Sequence, residues 1–288
     1  MVVNVNPFFV TGRIPAAYFC DRVVESKVLS QALLSQMNVV VTSPRRMGKT
    51  ALVDFVFQQE VIQKDYFTID VDILHTTCFK EFIYALGTAA YDKIASRSDK
   101  MKRLFIATLR SLSASFGYDP IQNTPTFDIK LGDITTPDYT LREIFNFMEQ
   151  ADKRCLVVID EFQQITKYPE KNIEAVLRSY IQKMSNANFV FAGSQRTVLE
   201  EMFLSSRRPF FQSAKLMQLD AIELSVYQDF VVGHFREGGK DINPEAVEVA
   251  YRSFRGVTLY MQRVMKDAYA TTPQGATCDE RLVEQLID

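Results

Sequence analysis

Apolar positions along the chain follow two rhythms. Short runs rich in β-branched and aromatic residues, at 39–41, 66–71, 155–159, 188–193 and 214–219, read as strands. Between them apolar residues recur at helical spacing: Val28, Leu29, Ala32 and Leu33; Ala51, Leu52, Phe55 and Val56; the segment 79–86; Leu141 to Met148; Ile173, Val176, Leu177, Tyr180, Ile181 and Met184. Strand and helix alternate. Such alternation predicts an α/β fold, a parallel five-stranded sheet flanked by helices. From Ser225 onward only helical spacing remains, through Val226, Phe230, Val231 and Phe235, then Ala246, Val249 and Ala250, then Leu259, Met261, Val264, Met265 and Ala268. This second pattern predicts a small all-helical domain. The expected division is 1–220 for the core and 221–288 for a helical lid.

Two stretches break the rhythm. The opening, residues 7–15, mixes turn formers with aromatics and is expected to lie across the domain surface. Residues 96–139 carry Ser111, Ser113, Ser115, Gly117, Pro120, Pro125, Gly132 and Pro137, which predicts a helical piece plus an irregular insertion. That insertion reads as a surface embellishment and a candidate partner-contact region. Asp21 stands where an N-cap would start the first helix.

Composition narrows the function classes. Of 288 residues, 47% are hydrophobic and 24% charged, the balance of an ordinary globular protein, and the net charge of -2 gives no global footprint for nucleic acid. No run approaches a membrane span and the N-terminus lacks the layout of a signal peptide, so the expected location is cytoplasmic, with no membrane partner. Cys20, Cys78, Cys155 and Cys278 are scattered without metal-ligand spacing, and His75 and His234 are too few for a histidine site.

The candidate chemistry sits at strand ends. After the run 39–41 the chain passes through Ser43, Pro44, Arg45, Arg46, Met47, Gly48, Lys49, Thr50 and Ala51 into an amphipathic segment: strand, loop, helix. A helix start presents N–H groups and positive partial charge to a phosphate. Gly48 lets the backbone curl close, Lys49 reaches the β and γ phosphates, and Thr50 offers a hydroxyl to Mg²⁺. The first glycine of the full phosphate-loop pattern is replaced by Ser43. A second motif ends the buried-type strand 155–159 in Asp160 and Glu161, two carboxylates that packing does not explain. Asp160 suits a magnesium ion and Glu161 the activation of water. A third strand end, Gly193-Ser194-Gln195-Arg196, should lie near both, with Ser194 or Gln195 within reach of the γ-phosphate or the water.

With these motifs in this order, the chain resembles the additional-strand P-loop ATPases, and within them the archaeal-type ATPase families related to AAA+ and to signal-transducing STAND proteins. Ser43-Pro44-Arg45-Arg46-Met47-Gly48-Lys49-Thr50 is similar to the family's G-P-R-R-x-G-K-T, residues 18–25 to its F-x-G-R-x-x-E box beside the adenine, and Ile159-Asp160-Glu161-Phe162-Gln163 to its I-D-E-[FA]-Q. The resemblance implies ATP bound by Arg22 and by 43–51, Mg²⁺ on Thr50 and Asp160, Glu161 as the water-activating acid, Lys49 on phosphate and Ser194 as sensor. Asp21 replaces the glycine of the nucleotide box, and Gly256-Val257-Thr258 lacks the proline of the family's G-x-P. For the family's arginine near the fifth strand, the candidates are Arg196, Arg207 and Arg208. Relatives often continue into a winged-helix domain; 221–288 has no room for one, so the chain is expected either to lack it or to be a fragment.

The reading is therefore a Mg²⁺-dependent ATPase whose hydrolysis drives a conformational change in a signalling or regulatory protein, slow unless an oligomer or protein partner completes it. Two alternatives stay open: an ATP switch that does not hydrolyse, and a nucleic-acid-associated ATPase, for which the basic pair Arg207-Arg208 is the sole local support.

Overall fold

A computed structural model describes residues 5–20, 22–119, 124–127 and 130–287. In chain order they form α1 (Val23–Leu34), β1 (Val39–Thr42), α2 (Lys49–Phe57), α3 (Glu60–Asp65), β2 (Tyr66–Asp72), α4 (Phe79–Lys93), α5 (Asp99–Thr108), β3 (Phe116–Asp119) and β4 (Thr124–Phe127). The chain continues through α6 (Pro137–Glu149), β5 (Arg154–Asp160), α7 (Ile173–Ile181), β6 (Ala187–Gly193), α8 (Arg196–Leu204) and β7 (Lys215–Gln218). It ends in α9 (Leu224–Glu237), β8 (Asp241–Ile242), α10 (Pro244–Ser253), α11 (Thr258–Thr271), β9 (Thr277–Cys278) and α12 (Glu280–Ile287). Asp21, expected to cap α1, lies outside the described residues. Among the described residues no helix is long and apolar enough to cross a membrane.

The chain divides into two compact units. One comprises Leu29–Thr42 and Phe57–Gln218; the other comprises Met1–Val28, Ser43–Val56 and Leu219–Asp288.

The first unit holds the five-stranded sheet, all parallel, in the order β2-β5-β6-β1-β7. All five expected strands are present. β6 is buried along its whole length and β5 from Cys155 to Ile159, which is why both read as unbroken apolar runs: helices cover both faces. Register pairs Thr42 with Gly193 and Ile159 with Phe191, so the carboxyl ends of β5, β6 and β1 stand side by side. That is the edge where an open parallel sheet places its ligands.

An aromatic cluster fixes this edge from below. Phe162 follows the end of β5, Phe191 lies in β6, Phe203 in α8 and Phe210 before β7, with ring centroids 4.6 to 6.1 Å apart around the group. All four are at most 1% exposed. Each buried ring contributes about 1.5–3 kcal/mol, so a turn anchored by Phe162 is held firmly.

The expectation that 96–139 is a surface embellishment is corrected over its first part. In α5, capped by the Ser98 hydroxyl accepting the Met101 N–H at 3.2 Å, Met101 and Phe105 face inward, and Leu109 and Leu112 follow them into the core. Phe105 meets Phe147 of α6 edge to face at 4.9 Å. This stretch is part of the main core; β3 and β4 then pair antiparallel.

The second unit is helical apart from a two-residue parallel pairing of β8 with β9. Its core gathers Val231, Phe235, Ala246, Ala250, Met261, Met265 and Ala268, whose spacing predicted helices, together with Tyr227. The opening stretch does not simply cross the surface. Phe8 is 1% exposed and packs against Phe235 and Tyr269 with centroids 5.8 and 5.9 Å away, while Asn6 Nδ2 donates to the Lys266 carbonyl at 2.8 Å.

Candidate functional site

In the second unit, the loop of Ser43, Pro44, Arg45, Arg46, Met47 and Gly48 leads into α2, whose first residues are Lys49, Thr50 and Ala51. Gly48 has φ +85°, a conformation that a side chain would strain, and its carbonyl accepts the N–H of Leu52 at 2.9 Å as α2 begins. Ser43, Met47 and Lys49 are buried, whereas Pro44, Arg45, Arg46 and Thr50 are exposed. Lys49, buried as the first residue of α2, adds a cation to the positive end of that helix dipole. Both terms favour an anion there.

The loop is held by its carbonyls. Met47 O accepts Arg22 Nη2 at 3.2 Å and Thr258 Oγ1 at 3.5 Å, and Arg46 O accepts the N–H of Leu259 at 3.0 Å. The Arg46 guanidinium lies 4.9 Å from the Tyr260 ring centroid, a cation–π contact. Arg22, 4% exposed, also reaches the Asp220 carbonyl and Glu25 Oε1, each at 2.8 Å. Arg22 thereby fastens two backbone carbonyls, those of Met47 and Asp220, and the Glu25 side chain.

Beside Arg22 opens a cavity of about 450 Å³ lined by Ala16, Phe19, Val23, Phe55, Val226 and Phe230, with Ser26 and Asp229 as further polar lining. Phe19 and Phe55 stack at 4.3 Å and 8°. The Ser26 hydroxyl is buried with no hydrogen-bond partner among the described residues, which costs about 1–3 kcal/mol until a partner arrives. Ser26 and Asp229 carry no sequence signal, and Phe55 and Phe230 read only as helical apolar positions, since the convergence of the four on this cavity is tertiary.

In the first unit, β5 ends at Asp160 and the next residue, Glu161, takes φ 56° and ψ 39°. A left-handed conformation at a residue with a side chain costs about 1–3 kcal/mol. Three hydrogen bonds fix it: the Glu161 N–H donates to Asp160 Oδ1 at 2.8 Å, Ser194 Oγ donates to Glu161 Oε2 at 2.9 Å, and Gln163 Nε2 donates to the same oxygen. A hydrogen bond to a charged group contributes about 1.5–3 kcal/mol, so the two on the carboxylate outweigh the backbone strain. Asp160, Glu161 and Ser194 are brought together as one constellation. Gln163 joins it; its signal was the last letter of the I-D-E-F-Q motif.

The arginines are placed differently. Arg196 opens α8 and pairs with Glu200 at 2.7 Å. Arg208 pairs with Glu174, whose carboxyl burial raises above its ordinary value while Arg208 opposes the rise, and lies 3.4 Å from Glu201. Arg207 is exposed.

Each unit carries a hard oxygen donor of the kind magnesium takes: the Thr50 hydroxyl at the start of α2 in one, and the Asp160 carboxylate at the end of β5 in the other.

Solved structures that share the fold include those of three archaeal proteins. The Walker-type ATPase of Pyrococcus abyssi is 15% identical with a TM-score of 0.67, covering 97% of this chain and 75% of its own. The Aeropyrum pernix ORC2 protein, in ADPNP–ADP complexes, is 14% identical with a TM-score of 0.62, covering 98% and 70%. The Aeropyrum pernix ORC1 protein, in complex with DNA, is 13% identical with a TM-score of 0.59, covering 93% and 65%. At these identities the likeness shows the P-loop NTPase fold alone. No curated protein matches the chain. The ATPase domain found predominantly in Archaea matches residues 19–264, and the chain belongs to that family of P-loop ATPases.

Proposed function

We propose that the protein binds Mg-ATP and hydrolyses it, using the cycle to change the disposition of a helical lid, residues 221–288, on a core of residues 1–220. The observation that carries the reading is the Glu161 carboxylate, held by Ser194 and Gln163 on a strained backbone at the end of β5. Side chains fixed at that cost serve chemistry more often than packing.

The phosphates go to the loop at 43–51: Lys49 and the start of α2 supply positive charge, and Arg45 and Arg46 flank it. The base goes to the cavity beside Arg22, between the apolar faces of Phe19, Phe55 and Phe230, where the Ser26 hydroxyl gains a partner. Thr50 and Asp160 would hold a magnesium ion, which would supply neutralisation of the charge on the phosphates. Glu161 accepts a proton from water as the water oxygen bonds to the γ-phosphorus. The bond from that phosphorus to the bridging oxygen breaks, and ADP and phosphate leave. Ser194 keeps the carboxylate aligned.

The lid reading rests on α11. Its first residues grip the phosphate loop through Leu259 to Arg46 and Thr258 to Met47, so a change in loop shape on nucleotide binding is transmitted to the helices. Arg196 and Arg208 are both engaged in ion pairs, which favours an arginine supplied by another subunit or a partner. A missing arginine finger lowers the rate by about 10³–10⁵, so isolated monomer turns over slowly. The regulatory, cytoplasmic and AAA+ or STAND-like character is part of this proposal. The DNA in the ORC1 complex is no guide to this chain, whose basic pair has one member committed to Glu174.

The test is steady-state turnover with Mg²⁺ across a range of protein concentrations, beside ATP binding by wild type and Lys49→Ala. A specific rate that rises with concentration, and affinity lost in Lys49→Ala, supports the ATPase. Tight binding with no turnover at any concentration replaces it with a non-hydrolysing switch.

A further inference from the structure

The left-handed backbone at Glu161 turns the chain from β5 directly into the 3-10 helix Phe162–Lys167, and this brings Gln163 back alongside the preceding acid. Gln163 is 2% exposed, and its Nε2 donates to the Glu161 oxygen that also accepts Ser194. The other end of the amide, Oε1, is buried with no hydrogen-bond partner among the described residues. Packing alone does not account for such a side chain. A methionine of the same length would fill the space and leave no orphaned acceptor.

The residue opposite points the same way. Gly193, last in β6, has an ordinary backbone, so its small size is not a conformational need. A Cβ built there would lie 2.0 Å from Gln163 Oε1 and 3.1 Å from Gln163 Cδ, as well as 2.7 Å from the Leu199 side chain. A side chain at 193 therefore requires the Gln163 amide and the Leu199 side chain to shift. The glycine is the space into which Gln163 reaches.

We propose that Gln163 is a positioning residue, admitted by Gly193, which holds one oxygen of the Glu161 carboxylate and so fixes the orientation in which that carboxylate accepts the proton of the attacking water. This rests on the hydrolytic reading above. Because Ser194 and Gly193 are adjacent, the end of β6 acts on Glu161 twice: through the serine hydroxyl directly and through the glycine's clearance for the amide. A shift of that strand end tightens or releases both contacts together.

The experiment compares wild type, Glu161→Gln, Gln163→Met, Gln163→Glu, Gly193→Ala and the double variant Gln163→Met/Gly193→Ala, as full-length proteins. Each is checked for folding by circular dichroism, then measured for ATP binding and for kcat and KM as functions of pH. Gln163→Met preserves packing and removes the donor; kcat is expected to fall about 10- to 100-fold with KM and ATP affinity unchanged, as misplacement of a reacting group predicts. Gln163→Glu sets a second carboxylate beside Glu161, and like charges disfavour ionisation, so the acidic limb of the pH–rate profile moves to higher pH. Gly193→Ala lowers kcat in the wild-type background and adds little in the Gln163→Met background, the non-additivity of a shared contact. Wild-type turnover that Gln163→Met leaves unaltered, or a loss confined to KM, overturns the assignment. If Gln163→Met does not fold, Gly193→Ala and Gln163→Glu decide by the same criteria. Absence of wild-type turnover overturns the hydrolytic reading first and this assignment with it, and the wild-type control separates the two failures.

Discussion

Arg22 Nη2 donates to the carbonyl of Met47 at 3.2 Å, tying the segment before α1 to the middle of the phosphate loop. The same guanidinium holds Asp220 O and Glu25, so one planar fork orients three pieces of backbone and side chain. Arg22→Ala strands the buried Met47 carbonyl and releases that of Asp220, and is expected to lower unfolding free energy by about 1–3 kcal/mol in urea titrations, with weaker ATP binding. Arg22→Lys keeps the charge but loses the fork, and recovers only part of either quantity. Wild-type ATP affinity in both variants would detach the clasp from the loop's function.

The helix α5 gives a stability prediction. Phe105 is fully buried and meets Phe147 edge to face, so Phe105→Ala should cost about 3–5 kcal/mol, read from the urea midpoint. A surface embellishment would lose almost nothing on the same change.

Glu149 carries a pH dependence. It sits at the end of α6, where Oε2 accepts the N–H groups of Ser185 at 3.0 Å and Asn186 at 3.1 Å and Oε1 accepts the Ser185 hydroxyl. Burial pushes its carboxyl up, but these hydrogen bonds and the Arg154 charge together hold it below its ordinary value of 4.5. A folded-state pKa below the unfolded one means stability that is complete above the unfolded value and lost as pH falls through the folded one. Glu149→Gln is therefore expected to destabilise by about 1–2 kcal/mol near neutrality, with the gap to wild type closing on acidification below about pH 4. A gap constant with pH would show that the charge is not involved.

Much of the fold was legible because burial imposes period. The apolar runs of β1, β5 and β6 carry the mark of a sheet covered on both faces, and α9 to α11 carry the helical repeat. What failed was reading punctuation in place of period. The serines and prolines after residue 96 mask Met101, Phe105 and Leu109, which recur every four residues and belong to the core. Phe8 is hidden for a related reason: a short aromatic stretch without period gives no sign of what it packs on. The phosphate loop and the Asp160-Glu161 pair were legible as motifs, since each is contiguous. Ser26, Phe55, Asp229 and Phe230 were not, because they converge on one cavity from three separate segments. Nor was the contact of Gln163 with Glu161, which depends on a left-handed residue that no composition rule predicts at a glutamate.

A single-turnover measurement of wild type and Glu161→Gln with Mg²⁺ and limiting ATP, at protein concentrations where titration shows equal occupancy, reads the role of Glu161 directly. If Glu161 activates the water, ATP affinity is equal and hydrolysis about 10²–10⁴ slower in the variant, the contribution of a positioned general base. Equal rates at equal occupancy would contradict it and remove Glu161 from the chemistry.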